Sequence, residues 1–273
     1  MKKLLVFTDL DGSLLNHHDY SWSKAIPALN ALENRSCPVI LNSSKTVAEI
    51  TKLRSELNNK HPFVSENGAI INIPHDYFSL CDARESNNEK LDTHYFGTPY
   101  KDIIKTLLTL RKKYNFQFKG FSDMDAEELG VICGLSLEQA TDAKHRQASE
   151  PLVWMDTEDA LIRFKSCLEE KDLIVVTGGR FHHVMADVDK GEALLWLKQQ
   201  YQKAKPEVEW ITVGLGDSYN DARMLEVVDY PVLIPNPDNT QPMLSNLRNL
   251  VNPYSAGSKG WNEAVLGLID KIL

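Results

Sequence analysis

The chain has 273 residues, of which 42% are hydrophobic and 25% are charged, proportions typical of a soluble globular protein. Its formal net charge of −8 and pI near 5.5 argue against nucleic acid as the main partner, because binding a phosphate backbone requires a basic face. No segment approaches the roughly 20 consecutive apolar residues of a transmembrane helix, so no membrane span is expected.

The cysteines and the first residues predict a cytoplasmic protein. The apolar run at residues 4–7 ends too early to be the core of a signal peptide. The four cysteines are far apart and form no Cys-x-x-Cys pair, which favours reduced thiols over disulfides or a zinc site. They are Cys37, Cys81, Cys133 and Cys167.

The first dozen residues combine a buried strand with two carboxylates. Four apolar residues bounded by polar residues and glycine predict a strand that is buried on both faces, as in a parallel sheet. Asp9 and Asp11 are two residues apart and should leave the end of this strand on the same side. Such a pair repels unless a cation or a shared proton separates it, which predicts a hard-metal site or an acid/base dyad. A simple Asx-turn is the structural alternative.

Polar residues follow this turn and also the next predicted strand. His17 and His18 are sequence neighbours, which do not easily chelate one ion, so they are interpreted as solvated loop residues. After the strand at residues 38–41, Ser43, Ser44 and Lys45 precede a predicted helix. Hydroxyl groups there cap a helix, and together with a lysine they also suit a phosphate.

Residues 63–73 predict two strands joined by the turn Glu66-Asn67-Gly68. From about residue 80 to residue 187 the pattern changes. Residues 82–98 are polar and irregular, an amphipathic helix follows at about residues 100–114, and further helices and strands come after it. Such elements, inserted between two halves of a core, fit an α+β cap of helices packed on an antiparallel sheet.

Two polar strings interrupt the apolar elements of this predicted cap. The first contains Arg146 and Ser149, and the second contains Arg180 and His183. Arg180 follows two glycines and can approach an anion closely, offering two parallel donors to a carboxylate or phosphate. Surface salt bridges are the alternative.

The last third of the chain returns to alternating strands and helices. Lys190 opens a predicted helix, against the preference of the helix dipole for anions, which hints at a function. The strand at residues 210–216 ends in Asp217, and Asp221 precedes the next helix, where both residues are candidate caps. The alternation in residues 1–79 and 188–273 predicts an α/β core with a doubly wound parallel sheet, whose ligands sit beyond the carboxyl ends of the strands.

Four of these strings resemble the motifs of the haloacid dehalogenase superfamily. They are Asp9-Leu10-Asp11-Gly12-Ser13, Ser43, Lys190 and Gly216-Asp217-Ser218-Tyr219-Asn220-Asp221. The resemblance implies a Rossmann-like core carrying an inserted cap, at residues 80–187, that governs substrate specificity. It also implies Mg²⁺-dependent phosphoryl transfer through an aspartyl-phosphate.

The same resemblance assigns roles to individual residues. Asp9 is expected to be the nucleophile, Asp11 the general acid and base, and Ser43 and Lys190 the ligands of the phosphoryl oxygens. Mg²⁺ is expected to bind Asp9, Asp217 and the backbone of Asp11, with support from Asp221.

Further strings, in the core and in the cap region, together resemble the mannosyl-3-phosphoglycerate phosphatases: Ser43-Ser44-Lys45-Thr46, Ser65-Glu66-Asn67-Gly68, Arg146 with Ser149-Glu150-Pro151, Gly179-Arg180-Phe181-x-His183-Val184 and Gly214-Leu215-Gly216-Asp217. The resemblance spans residues 4 to about 230 and implies hydrolysis of 2-O-mannosyl-3-phosphoglycerate, a small phosphorylated glycerate, to mannosylglycerate. Tyr219 departs from the proline that is usual in that family. Another sugar-phosphate phosphatase, a phosphomutase and a non-catalytic binding module remain alternatives. The expected substrate contacts are Ser44, Lys45, Glu66, Asn67, Arg146, Ser149, Arg180 and His183.

Overall fold

Two β-sheets organise the protein. A computed structural model describes residues 1–79, 90–178, 181–236, 242, 244 and 247–273. The first sheet has the order β11-β10-β1-β2-β3-β4-β5, and the second has the order β6-β7-β9-β8. The strands are β1 (Lys2–Thr8), β2 (Val39–Asn42), β3 (Phe63–Ser65), β4 (Ile70–Pro74), β5 (Leu91–Tyr95), β6 (Phe118–Gly120), β7 (Ser149–Trp154), β8 (Leu173–Gly178), β9 (Phe181–Ala186), β10 (Glu209–Gly216) and β11 (Tyr230–Leu233).

Helices cover both faces of the first sheet. The helices are α1 (Ile26–Asn34), α2 (Val47–Glu56), α3 (Tyr100–Tyr114), α4 (Ala126–Cys133), α5 (Leu137–Lys144), α6 (Glu158–Glu169), α7 (Lys190–Ala204), α8 (Ala222–Val227) and α9 (Gly257–Ile272). Leu4 and Val6 of β1 pack into the core beneath α1, α2 and α9, whereas Leu5 and Phe7 pack into the core beneath α7 and α8. The predicted burial of β1 on both faces is therefore confirmed.

The strand directions confirm the predicted α/β fold. β11, β10, β1, β2 and β3 are parallel, and β1 lies between β10 and β2. β4 and β5 extend this sheet in antiparallel pairing. β5 was not expected, because residues 82–98 read as an irregular link into the cap. An edge strand with exposed side chains needs no apolar alternation, so its sequence resembles that of a loop.

The second sheet forms the core of the inserted α+β unit. Its four strands are antiparallel, and α3 and α6 pack against one face through residues such as Leu107, Leu152 and Phe164. A separate cluster joins α4 and α5 to the sheet. A capping box formed by Ser136 and Gln139 begins α5. The expected helix-on-antiparallel-sheet architecture is therefore present.

Within the described ranges, no helix combines the length and the hydropathy required to cross a bilayer.

Candidate active site

The predicted catalytic residues lie at one edge of the parallel sheet. Asp9 follows β1, Ser43 follows β2 and Asp217 follows β10, while Lys190 is the first residue of α7. The register pairs Thr8 with both Leu41 and Leu215, so the three strands end at the same level. Ser43 is 1% exposed, and its backbone N–H donates to Val64 O (3.1 Å), which continues the pairing with β3. Chain segments far apart in sequence thus meet where doubly wound sheets bind ligands.

Lys190 is fully buried between two carboxylates. Its Nζ lies 2.6 Å from Asp9 Oδ1 and 2.6 Å from Asp221 Oδ1. Burial by itself lowers the pKa of this ammonium group, but Asp221 and Asp9 outweigh that effect and raise the pKa above its usual value. The lysine therefore stays charged and neutralises part of the acidic cluster.

Asp9, Asp217 and Asp221 form a buried acidic cluster that fits a divalent cation. One carboxylate oxygen from each residue lies within 4.8 Å of the others. Burial raises the pKa of Asp9, and the charge of Asp221 raises it further; burial also raises the pKa of Asp217. Asp217 Oδ1 is buried and has no hydrogen-bond partner among the described residues. Three carboxylates against one ammonium group, with an oxygen left over, suit a hard ion such as Mg²⁺.

Asp221 already has several partners within this cluster. Its Oδ2 accepts hydrogen bonds from the backbone N–H groups of Asp217 (3.0 Å) and Ser218 (3.1 Å), while its Oδ1 faces Lys190. This arrangement favours the supporting role that was expected for Asp221, with Asp9 and Asp217 as the candidate ligands. Asn236, which was not among the residues predicted from the sequence, donates from Nδ2 to Asp217 Oδ2 (2.7 Å). Only its position shortly after β11 could have indicated it.

The side chain of Asp11 lies outside the acidic cluster. It is 40% exposed, and its Oδ2 is 2.9 Å from Lys45 Nζ, which is also 3.7 Å from Glu49. Burial opposes the charge of Lys45, but Asp11 and Glu49 outweigh it and raise the pKa of the lysine. Asp9 and Asp11 therefore occupy different environments, as two carboxylates with separate roles require. That Asp11 contacts a metal through its backbone stays a prediction.

The turn Glu66-Asn67-Gly68 packs against the start of α7. All three residues have positive φ angles, between 51° and 102°. A Cβ at Gly68 would overlap the backbone carbonyl of Asp189, next to Lys190, so glycine is required there. Asn67 Oδ1 accepts a hydrogen bond from Asn220 Nδ2 (3.0 Å). The turn thus joins the β3–β4 hairpin to the segments that carry Lys190 and Asp221.

Glu66 also connects this turn to the cap. It is fully buried, and its carboxylate accepts hydrogen bonds from Gln147 N (2.8 Å), Ala148 N (3.1 Å) and Ser149 Oγ (2.6 Å). Arg146 donates from a terminal guanidinium nitrogen to Ser44 O (2.8 Å), across the same boundary. These contacts fix the cap over the strand ends. The roles of Glu66, Ser44, Arg146 and Ser149 as substrate contacts stay predictions.

His183 lies on β9, deep in the cap. It is 6% exposed, and its Nδ1 has no hydrogen-bond partner among the residues that the structure describes. Burial, followed by the positive charge of Arg146, lowers the pKa of His183 to about 3, so the imidazole is neutral at pH 7. Arg180, the other cap residue predicted on this string, lies outside the described residues.

A cavity of about 540 Å³ lies elsewhere, around the amino ends of β1 and β2. It is lined by residues such as Lys3, Trp22, Tyr77 and Tyr201, and by none of the predicted catalytic residues. Its size alone does not make it the reaction site, because its described lining residues include no group of carboxylates resembling the buried acidic cluster.

Comparison with known proteins places this geometry in a family context. A sequence profile of haloacid dehalogenase-like hydrolases matches residues 6–241. Two curated relatives are named glucosyl-3-phosphoglycerate/mannosyl-3-phosphoglycerate phosphatase. The protein from Methanococcoides burtonii is 40% identical over 271 residues, and the one from Persephonella marina is 35% identical over 270 residues. Each alignment covers 98% of this chain and 98% of the relative.

Solved structures share the fold at much lower identity. A Thermoplasma acidophilum protein superposes with a TM-score of 0.68 at 17% identity, covering 98% of this chain and 99% of that one. The Synechocystis sucrose-phosphatase, solved with sucrose and phosphate, gives a TM-score of 0.62 at 14% identity, covering 98% and 99%. At such identities the likeness concerns the fold alone.

The buried carboxylate of Glu66 yields a stability prediction. In Glu66→Gln, an amide N–H₂ group replaces one carboxylate oxygen that accepts hydrogen bonds from the cap. A buried donor of the cap then faces the amide N–H₂, which cannot accept its hydrogen bond. We expect the free energy of unfolding to fall by roughly 2–3 kcal/mol. Chemical denaturation measures it. Glu56→Gln, at an exposed position on α2, serves as the control, and an equal effect in both variants would contradict the assigned contacts.

The depressed pKa of His183 predicts acid destabilisation. The unfolded chain takes up this proton near pH 6.5 and the folded chain only near pH 3, so the stability from the neutral imidazole is complete above pH 6.5 and declines as the pH falls. Between pH 7 and pH 5 the wild type should lose roughly 2 kcal/mol more than His183→Gln. Urea unfolding at both pH values tests this, and parallel losses in the two proteins would refute it.

Proposed function

Because the chain belongs to the haloacid dehalogenase-like hydrolases, we propose that it is a Mg²⁺-dependent phosphatase acting on 2-O-mannosyl-3-phosphoglycerate through an aspartyl-phosphate. That it is a phosphoric monoester hydrolase follows from the family and from two relatives, 35–40% identical over almost their whole length, that are named as phosphatases. The observation that carries the mechanism is the buried cluster of Asp9, Lys190, Asp217 and Asp221 at the carboxyl ends of the strands.

Asp9 is the proposed nucleophile. An Asp9 carboxylate oxygen attacks phosphorus, the bond to the substrate alkoxide breaks, and water later hydrolyses the resulting acyl phosphate to regenerate the carboxylate. Negative charge on both reactants opposes this attack. Lys190, held charged by its two carboxylate partners, offsets part of that repulsion. Mg²⁺ held by Asp9, Asp217 and the backbone of Asp11 would neutralise further charge on the phosphoryl oxygens.

Asp11 is the proposed general acid and base. Its side chain lies outside the acidic cluster and is partly exposed, so it is available to a leaving group. It would protonate the departing alkoxide and then take a proton from the hydrolytic water. Lys45, 2.9 Å away, would hold its orientation.

Substrate recognition is proposed to involve both domains. Ser43 and Lys190 would bind phosphoryl oxygens beside Asp9. Lys45, Arg146 and Arg180 are the proposed partners of the glycerate carboxylate, and the neutral imidazole of His183 suits a sugar hydroxyl. Glu66 and Ser149 hold each other and would contribute by fixing the cap.

A second candidate substrate is the glucosyl counterpart. The names of both curated relatives include glucosyl-3-phosphoglycerate as well as mannosyl-3-phosphoglycerate. The two substrates share the phosphate and the carboxylate and differ only in the sugar, so the same catalytic residues would serve both. We also propose a cytoplasmic location, which the wide spacing of the four cysteines, with no Cys-x-x-Cys pair, supports.

Replacement of the nucleophile should abolish turnover. Asp9→Asn removes the attacking carboxylate, and phosphate release is expected to fall by about 10³-fold or more. Circular dichroism should show an intact fold, and Asp102→Asn, at an exposed position on α3, should keep normal activity. Chelation of divalent ions should abolish phosphate release by the wild type, and added Mg²⁺ should restore that activity. Substantial residual activity in Asp9→Asn would remove the nucleophile assignment.

A substrate panel tests the proposed specificity. With Mg²⁺ present, phosphate release should be most efficient, by kcat/KM, with the mannosyl or glucosyl 3-phosphoglycerate, and much weaker with sucrose-, trehalose- and hexose-phosphates. A preference for one of the latter would reassign the substrate. An isomerised phosphate ester without phosphate release would indicate a mutase, and inertness towards the whole panel would support a binding module.

A further inference from the structure

His17 lies beside the acidic cluster, although the sequence suggested a solvated loop residue. Its Nε2 is 3.2 Å from Asp217 Oδ2, and its side chain is 26% exposed. His18, the next residue, is exposed. Two adjacent histidines therefore differ sharply in position, and only the first reaches a candidate metal ligand.

The loop that carries His17 is held from both sides. Asn16 N donates to Ser21 O (3.1 Å) and Tyr20 N donates to Asn16 O (3.2 Å), which closes the loop. Asn16 Oδ1 also accepts hydrogen bonds from Ser258 N (3.1 Å) and Ser258 Oγ (2.8 Å), at the first turn of α9. The imidazole is thus positioned by the C-terminal helix, a part of the chain to which the sequence motifs assign no role.

Gly12 makes room for the contact. Its φ is +81°, and a Cβ at this position would overlap both His17 Nε2 and Asp217 Oδ2. The imidazole therefore lies directly over the turn that follows Asp9 and Asp11. A side chain at position 12 would separate His17 from Asp217.

The two oxygens of Asp217 have different surroundings. Oδ2 is 3.2 Å from His17 Nε2 and accepts a hydrogen bond from Asn236 Nδ2 at 2.7 Å. Oδ1 is buried and has no hydrogen-bond partner among the described residues. A carboxylate held in this way by outer donors is oriented to offer its other oxygen to a cation, and such outer partners typically change metal affinity 10–100-fold.

We propose that His17 is a positioning residue of the metal centre, its Nε2 lying 3.2 Å from Asp217 Oδ2 and holding this carboxylate so that Oδ1 is presented to the ion. This inference rests on the proposed Mg²⁺-dependent function. His17 itself is not a ligand in this arrangement, because the group of candidate ligand atoms within 4.8 Å consists of Asp9, Asp217 and Asp221.

The test is a direct measurement of Mn²⁺ binding, by calorimetry and by electron paramagnetic resonance of the free ion. His17→Ala should raise the Kd for Mn²⁺ by 10–100-fold. His17→Gln, whose terminal amide nitrogen can replace Nε2, should stay within a few-fold of the wild type. His18→Ala is the matched control and should leave the Kd unchanged. In assays, the Mg²⁺ concentration for half-maximal rate should rise in His17→Ala, while kcat at saturating Mg²⁺ should change little.

The outcomes separate this inference from the proposed function. If the wild type binds Mn²⁺ and His17→Ala binds it with the same Kd, the role of His17 is overturned and the proposed metal centre stands. No Mn²⁺ binding by the wild type would overturn the proposed metal centre and His17 with it. Strong coupling of bound Mn²⁺ to a histidine nitrogen, lost in His17→Ala, would make His17 a ligand and overturn the positioning role. Should His17→Ala fail to fold, His17→Asn, whose amide is too short, replaces it.

Discussion

The buried contact of Lys190 with Asp9 and Asp221 is the interaction on which the site depends. Burying an ammonium group is costly unless its charge is compensated at close range, and here two carboxylates lie 2.6 Å away. Each partner comes from a different element: the end of β1, the start of α7 and the turn before α8. Packing these elements into the core therefore brings Asp9, Lys190 and Asp221 together at one place.

Hydrogen bonds and ion pairs also attach the cap to this core. Glu66, on the turn that packs against α7, accepts three hydrogen bonds from residues 147–149, and Arg146 donates to Ser44 beside Ser43. Thr46 Oγ1 donates to the backbone of Asp142 (2.9 Å), and Lys52 pairs with Glu138 and Asp142. The exposed pairs contribute little stability, whereas the buried hydrogen bonds of Glu66 contribute more. The cap and the site of the proposed phosphoryl chemistry thus share a polar boundary.

Particular residues show which features of the site and fold could be predicted from the sequence. Asp9, Ser43, Lys190 and Asp217 were predicted to converge because each lies at a strand end or a helix start, and parallel strands end together. Gly68 was recognised as part of a turn, but its close approach to the backbone before Lys190 was not. β5 was missed because an exposed edge strand lacks the apolar alternation by which a strand is recognised. His17 and Asn236 were missed because their partner, Asp217, is about 200 residues and 19 residues away along the chain, respectively.

The sequence by itself determined the α/β class, the order of the candidate catalytic residues along the chain and the residue types able to carry phosphoryl transfer. Apolar runs and local motifs reflect short-range constraints, which a sequence shows directly. Only the tertiary structure decided which oxygen of each carboxylate is engaged. It pairs Asp221 with Lys190 and Asp11 with Lys45, and it places the Glu66 carboxylate in hydrogen bonds with the cap. The physical reason is that hydrogen bonds and ion pairs depend on distances of about 3 Å between atoms that no local pattern relates.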